Sequence, residues 1–483
     1  MNAALVTSRY NFHVPVEGGA LLYNASSGSV LRFGGRDGVQ VAAALSGPVA
    51  RFSAGVLPDA VVADLQAGAF LVNEGVDEVS EIRRRFQRAR AETPMVLTIT
   101  TTMDCNLGCY YCYEERSTKR LGQSDLLAIS KLARQRLEAS GKKQLHVDWY
   151  GGEPLLNLDF LEPASLALQA LCAELGVTYV SSVISNGTCW PDDVGAFVKR
   201  HCIRQVQISF DGLRRNHDKR RRYRSNFKPA GDVSSFDQAF VLVDRLLDHC
   251  RVDVRFNIDR GNADDVLPFV DLVRKRGWFE RPFPAVIQPA RLASFSARSS
   301  FMRKSELTIE QYDEIRRQVR EAMAGVGCVE ESEVPDGDPS PRTSVCAALA
   351  GASVVVGADG LTYRCGLQVG ETQRAVGHVE HDGLPVQVLR RGDSIGLPVL
   401  NDQGADASWW EAFDPTTLET CSQCSFLPIC WGGCPKRHLE HDQHALDEQS
   451  IYWRKNLPRL VAQVAGTVAS DPELEFTVAD QFR

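Results

Sequence analysis

The 483-residue chain has no run approaching the ~20 consecutive apolar residues that a membrane-spanning helix requires, which argues against a membrane partner. Its opening stretch, MNAALVTSRYNFHVPVEGG, lacks a basic segment followed by an apolar one, so no secretory signal is read there. Low-complexity tracts are absent, and 44% hydrophobic with 24% charged residues is a globular composition. A basic excess is missing too. The net charge of −7 argues against a general nucleic-acid partner. These absences leave a cytoplasmic chain too long for one core, of about two to four domains.

What the chain has is cysteine, fourteen in all. A reducing cytoplasm disfavours structural disulfides, so clustered cysteines there point to metal or redox chemistry. Cys105, Cys109 and Cys112 form one cluster, and Cys346, Cys365, Cys421, Cys424, Cys430 and Cys434 form a second. Cys172, Cys189, Cys202, Cys250 and Cys328 are scattered and read as small buried apolar residues.

Residues 1–93 read as a separate unit. GGALLYNASSGSVLRF alternates apolar and polar positions around Asn24–Gly28 and predicts a β-hairpin. DGVQVAAALSG and LPDAVVADLQAGAFLV predict short helices, the second running into a strand, and EVSEIRRRFQRARAE predicts a connecting helix. From Met95 the texture changes. MVLTITTT, LHVDWYG, VTYVSSVISNG, RQVQISFDG and VDVRFNID are strand-like runs, separated by helical segments such as SDLLAISKLARQRLEAS. Alternating strands and helices predict a parallel α/β sheet or barrel over 94–310. A linker spans 311–345, and the second cysteine group opens a loop-rich domain over 346–483 that ends in a helix.

Cys105-x3-Cys109-x2-Cys112 follows the first barrel-type strand, and α/β folds place their chemistry at the carboxyl ends of strands. Three thiolates are too few for structural zinc, which takes four protein ligands. They suit an iron–sulfur cluster with one iron left open. With Tyr111 before the last cysteine, this loop resembles the radical S-adenosylmethionine (radical SAM) enzymes. The resemblance implies a [4Fe–4S] cluster on Cys105, Cys109 and Cys112 whose open iron chelates SAM, and reductive cleavage to a 5′-deoxyadenosyl radical. It also implies a partial (β/α)6 barrel and a flavodoxin- or ferredoxin-type electron donor.

Further motifs follow in the family's order. Gly151-Gly152-Glu153-Pro154 resembles the GGEP segment that positions the methionine ammonium. Ser185-Asn186 and Ser209-Phe210-Asp211 resemble polar strand ends that contact the SAM ribose and carboxylate, with Tyr111 and Arg221 as further contacts. Arg220, Arg222 and Arg224 compete with Arg221 for the carboxylate. The basic stretch RRNHDKRRRYR itself reads as a solvated loop partly used for SAM.

The second group, C-x9–15-G-x4-C then C-x2-C-x5-C-x3-C, resembles the SPASM extension with its two auxiliary clusters. The resemblance implies Cys346, Cys365 and Cys434 for the first auxiliary cluster, and Cys421, Cys424 and Cys430 for the second. One departure stands out: the family pattern has a further cysteine after Cys434, and this chain has none. His438, His441, Asp442, His444, Asp447 and Glu448 are the ligand-type residues there, so one or two auxiliary clusters are expected.

SPASM enzymes mostly modify peptides, and the hairpin and short helices of residues 1–93 resemble a winged-helix-like module that grips leader peptides. A ribosomally made precursor peptide is therefore the expected partner, with a thioether, carbon–carbon or carbon–oxygen cross-link as the product. Alternatives are a peptide epimerase or an anaerobic sulfatase-type maturase forming formylglycine. Against the latter, Gly366 stands where that group has an aspartate after the cysteine equivalent to Cys365. A non-catalytic iron–sulfur redox protein is the alternative from another class. No catalytic acid or base is identified in the sequence.

Overall fold

A computed structural model describes residues 4–53, 55–114, 116–294, 297–323, 339–379 and 403–470. Cys328 and residues 324–338 of the expected linker lie outside the described residues. The chain divides into two compact units, one of Met1–Thr93, Glu330–Val345 and Ala412–Arg483, the other of Pro94–Val329 and Cys346–Glu411. Residues 346–411 fall in the second unit and 412–483 in the first.

The first unit opens with strands β1 (Leu5–Thr7), β2 (Asn11–Val16), β3 (Gly19–Asn24) and β4 (Val30–Gly34). Helix α1 (Gly35–Leu45), β5 (Arg51–Phe52), α2 (Asp59–Ala67), β6 (Leu71–Asn73) and α3 (Glu78–Glu92) follow. They make two antiparallel three-stranded sheets, ordered β2-β3-β4 and β5-β1-β6. The predicted hairpin is present. Asn24 Oδ1 accepts the Ser26 and Ser27 N–H groups at 2.9 and 3.0 Å, and Gly28 takes the left-handed φ of +77° that closes the turn. Ala20 and Leu22 pack with Leu45, Leu65 and Phe70 beneath the helices. Helix α3 buries Ile82, Phe86 and Ala89, the i, i+4, i+7 stripe of an amphipathic helix.

The second unit carries β7 (Met95–Thr102), α4 (Gln123–Ser140), β8 (Gln144–Gly151), α5 (Leu158–Leu175), β9 (Thr178–Ser185), α6 (Val194–Arg200) and β10 (Ile203–Phe210). It continues through α7 (Arg214–Arg220), α8 (Ser235–Leu246), β11 (Arg251–Ile258), α9 (Val266–Lys275), β12 (Val286–Arg291) and α10 (Ile309–Ala322). Strands β7 to β12 are parallel and adjacent in chain order, the arrangement of a (β/α)6 partial barrel. β13 (Val354–Val356) adds in parallel beside β7, followed by antiparallel β14 (Leu361–Tyr363) and β15 (Gly377–His378).

Alternation along these strands separates two faces. Leu97, Ile99, Val147, Trp149, Val206, Ile208, Val254 and Phe256 are wholly buried in the core shared with the helices. The intervening positions are polar and bond both across strands and along them. Asp148 takes Thr98, Ser182 and His146, while Asp253 takes Gln205, Gln288 and Arg251. A sheet covered by helices on both faces would be apolar on both; this one has a polar inner face.

Helix α11 (Gln403–Ala412) leads into α12 (Glu419–Ser422), α13 (Leu427–Cys430), α14 (Pro435–Leu439) and α15 (Gln443–Val464). From Ala412 onward these C-terminal elements pack on the N-terminal ones within the first unit. Phe12 meets Phe426 with ring centroids 4.8 Å apart, and Phe86 meets Trp431 edge-on at 5.3 Å. Arg83 donates Nε to Thr416 Oγ1 and Arg90 donates Nη1 to the Phe413 carbonyl, both at 2.9 Å. Among the described residues no helix is long and apolar enough to cross a membrane.

Candidate active site

The first cysteine loop leaves the carboxyl end of β7 and is anchored on both sides. Asn106 donates Nδ2 to Thr188 Oγ1 at 2.8 Å and accepts from Asn186 Nδ2 at 2.8 Å, tying the loop to the end of β9. On its other side Gly108 N–H donates to the Arg222 carbonyl at 2.8 Å and Arg224 N–H donates to the Asn106 carbonyl at 3.0 Å. Arg224 Nη1 also donates to Asp104 and, at 2.7 Å, to the Cys105 carbonyl. The basic stretch is therefore less a solvated loop than a splint for the cysteines. Carboxylates waiting at the strand ends draw it inward.

Two of those carboxylates organise the centre. Asp211, past the end of β10, is fully buried and accepts Arg221 Nε at 2.8 Å and Asn257 Nδ2 at 3.1 Å. Burial alone would raise its carboxyl, but Arg221 outweighs that and holds it below the ordinary carboxylate range. Asp259, past the end of β11, accepts both terminal nitrogens of Arg220 at 3.1 and 2.8 Å. Arg220 also lies over the rings of Tyr110 and Tyr111, 5.3 and 5.5 Å from their centroids, and Tyr110 donates its hydroxyl to Asp259. Arg220, named as a competitor of Arg221, belongs to this centre, and Asn257 and Asp259, which were not among the candidate residues, complete it. Their signal was the polar ending FNID, the same kind of strand end as SNG and FDG.

The GGEP segment closes β8 against the loop. Gly152 N–H donates to the Thr102 carbonyl at 3.0 Å, and Glu153 N–H to the Asp104 carbonyl at 2.9 Å. Gly151 has φ +138°, and a Cβ there would stand 2.3 Å from the Thr102 oxygen; one on Gly152 would stand 2.3 Å from the Asp104 oxygen. Only glycine permits this approach. Glu153 is wholly buried and accepts from Ser185 Oγ at 2.9 Å and Asn186 N–H at 2.7 Å, so it joins the ends of β8 and β9. Burial pushes its carboxyl up to about 7 despite those donors. Pro154 opens a short 3-10 turn, and its carbonyl accepts Thr101 Oγ1 at 2.9 Å. Ser209 stands half-buried in register with Arg255 of β11.

The three thiols suit a cluster by their chemistry. Cys109 and Cys112 line an open cavity of about 520 Å³ together with Gly108, Tyr110, Glu114, Arg116 and Arg222. Leu107 N–H and Asn186 Nδ2 approach Cys105 Sγ at 3.5 and 3.7 Å, donors of the kind that steady a thiolate. Burial raises all three thiols, Cys112 up to about 11, and the charge of bound iron would reverse that tendency. Among the described residues no group of three or more His, Cys, Asp or Glu side chains is gathered to hold a single metal ion.

The second cysteine group is distributed over the two units. In the barrel unit Arg364 donates Nε, Nη1 and Nη2 to the carbonyls of Ala348, Ser353 and Ala350, pinning the loop after Cys346 to the residue before Cys365. In the first unit Cys421 lies on α12, Cys424 follows it, and Cys430 ends α13. Trp431, Gly432 and Gly433 then take left-handed φ values of 48°, 72° and 81°, turning the chain sharply to Cys434, which is exposed.

The sequence model of the Radical SAM superfamily matches residues 99–233. The serine-type anaerobic sulfatase-maturating enzyme of Klebsiella pneumoniae is 25% identical over 340 residues, 68% of this chain and 79% of that protein. A probable GTP 3′,8-cyclase of Saccharolobus solfataricus is 27% identical over 186 residues, 38% of this chain and 53% of its own. The solved structure of native anSMEcpe with bound AdoMet and Kp18Cys peptide aligns with a TM-score of 0.52 at 17% identity, over 77% of this chain and 99% of that one, which establishes a shared fold. The matched segment runs from β7 through the cysteine loop and the GGEP, SNGT and SFDG strand ends to Arg221 and beyond, so the chain carries a radical SAM domain, one that uses S-adenosylmethionine and an iron–sulfur cluster.

Proposed function

We propose that this enzyme is a peptide maturase that removes a hydrogen from a residue of a ribosomally synthesised precursor and closes a thioether, carbon–carbon or carbon–oxygen cross-link. The observation that carries the reading is the cysteine loop anchored at the carboxyl end of a partial barrel whose inner face is polar. When bound there, the cluster and SAM supply a 5′-deoxyadenosyl radical. Cys105, Cys109 and Cys112 would hold that cluster; Tyr111, the 151–154 backbone, Ser185, Asn186, Ser209, Asp211 and Arg221 would frame SAM. The barrel excludes bulk water from the reacting carbon and orients the peptide over it.

Residues 1–93 would act as the recognition module. β4 pairs only with β3 among the described residues, so its outer edge offers main-chain groups to an added leader-peptide strand. Cys346, Cys365 and Cys434 would ligate the first auxiliary cluster, and Cys421, Cys424 and Cys430 the second. A flavodoxin- or ferredoxin-type protein would deliver the electron.

A second reading, formylglycine formation, is favoured by the similarity to the sulfatase-maturating enzyme over 68% of the chain. Gly366 after Cys365 counts against it. Mass spectrometry of candidate short peptides encoded beside the gene, after anaerobic turnover with SAM, separates the outcomes. A cross-link removes one hydrogen pair and leaves no aldehyde; formylglycine is an aldehyde trapped by hydroxylamine; epimerisation leaves the mass unchanged. An aldehyde or an unchanged mass would overturn the cross-linking proposal.

A further inference from the structure

Cys421, Cys424 and Cys430 offer three thiolates, and no cysteine follows Cys434 to add a fourth. We propose that His438, through Nδ1, is the fourth ligand of the cluster held by Cys421, Cys424 and Cys430. The inference rests on the auxiliary-cluster reading above and adds to it a residue that the family pattern does not supply.

The geometry turns on Gly432. A Cβ at that position would lie 3.5 Å from Cys421 Sγ and 3.7 Å from His438 Nε2, so the thiol and the imidazole flank the same glycine. The two remaining thiols belong to the same neighbourhood: the Cys424 N–H donates to the Cys421 carbonyl at 3.0 Å, and the N–H of Gly433, next to Gly432, donates to the Cys430 carbonyl at 3.1 Å. His438 Nε2 stands 2.7 Å from the Gly432 carbonyl. A carbonyl only accepts, so Nε2 carries the proton and Nδ1 keeps its lone pair. Metal-bound histidines are held in this way, one ring nitrogen donating to a carbonyl or carboxylate and the other facing the metal.

The competing side chains are placed or occupied otherwise. Asp442 pairs with Arg437 and caps α15 by accepting the Ala445 N–H. His441 and His444 are exposed, and Asp447, also exposed, accepts from Gln443 at 2.7 Å. Glu448 is engaged by other groups.

The test is pulsed EPR of the reduced, reconstituted full-length protein grown on isotope-labelled histidine, with iron and sulfide counted on the same samples. The wild type is expected to show a directly coordinated histidine nitrogen. His438→Ala should abolish that coupling, whereas His438→Cys should abolish it while keeping wild-type iron, which rules out misfolding as the cause. His441→Ala and His444→Ala should leave it intact. Coupling that persists in His438→Ala, or that is absent from the wild type, overturns the proposal. The Cys421→Ala/Cys424→Ala/Cys430→Ala variant separates the two levels. A loss of about four irons with no histidine coupling in the wild type removes His438 alone; unchanged iron removes the cluster and the proposal together.

Discussion

Arg221 donates its Nε to Asp211 at 2.8 Å, with side chains only 9% and 0% exposed. A pair this deeply buried costs far more when one partner is lost than it contributes when intact, because the survivor keeps an uncompensated charge. Asp211→Asn should therefore destabilise the protein by about 3 kcal/mol. Arg220 retains Asp259, so the loss should fall on Arg221 and on Tyr111 beneath it. Chemical denaturation measures the first effect. Asp211→Asn/Arg221→Met should recover part of the stability, and failure of the double variant to recover would show that the pair is not the source.

Gly152 sets the second expectation. A methyl group there would strike the Asp104 carbonyl at 2.3 Å, and the nearest atoms, from Met103 and Asp104, are all backbone, which does not yield as a flexible side chain would. Gly152→Ala should push β8 away from the cysteine loop, weaken SAM binding at least about tenfold, equivalent to about 1.4 kcal/mol, and lower iron retention. Anaerobic calorimetry with SAM would read the affinity. Gly141, which caps α4 with nothing within 4 Å of its would-be Cβ, is the control whose alanine variant should bind SAM normally.

His217 gives a pH dependence. Its ring is packed between Phe210 and Phe236, its Nδ1 accepts the Asp211 N–H at 3.4 Å, and burial followed by Arg221 lowers its pKa from 6.5 to about 3. Above pH 6.5 the imidazole is neutral in folded and unfolded chains, and the folded state is at its full stability with respect to this group. As pH falls from 6.5 toward 3, the unfolded chain takes up a proton that the folded one refuses, so stability falls by up to about 1.4 kcal/mol per pH unit. Denaturation midpoints measured down this window should show a shallower acid decline in His217→Leu, from a lower starting stability. Parallel declines would show that other groups carry the acid sensitivity.

The parts of the fold that were legible were those whose residues interact locally. MVLTITTT marks β7 with its observed ends, Met95–Thr102, because β-branched residues run unbroken to a turn. EVSEIRRRFQRARAE likewise gives α3, whose Ile82–Phe86–Ala89 stripe is plain in the text. β12 was not named as a strand: VIQPAR contains Pro289, which cannot donate to a ladder and is tolerated here because β12 stands at the sheet edge. The cysteine positions could be read from spacing, but the centre around them could not. Arg220 and Asp259 are separated by 39 positions, and a choice among four neighbouring arginines depends on which strand-end carboxylate each can reach. Arg364 escaped notice for the same reason, since its three acceptors are main-chain carbonyls that no residue type announces.

The packing of Phe12 on Phe426 and of Phe86 on Trp431 makes the two ends of the chain a single cooperative body. Anyone exchanging the first ninety or so residues for those of a relative would be transplanting half of a core. The incoming piece would meet Phe426 and Trp431 with the wrong shapes, and the misfit would be felt in the loop that carries Cys421, Cys424 and Cys430. A working chimera has to carry both segments together, so the N-terminal sheets and the neighbouring cysteine site are inherited as one package.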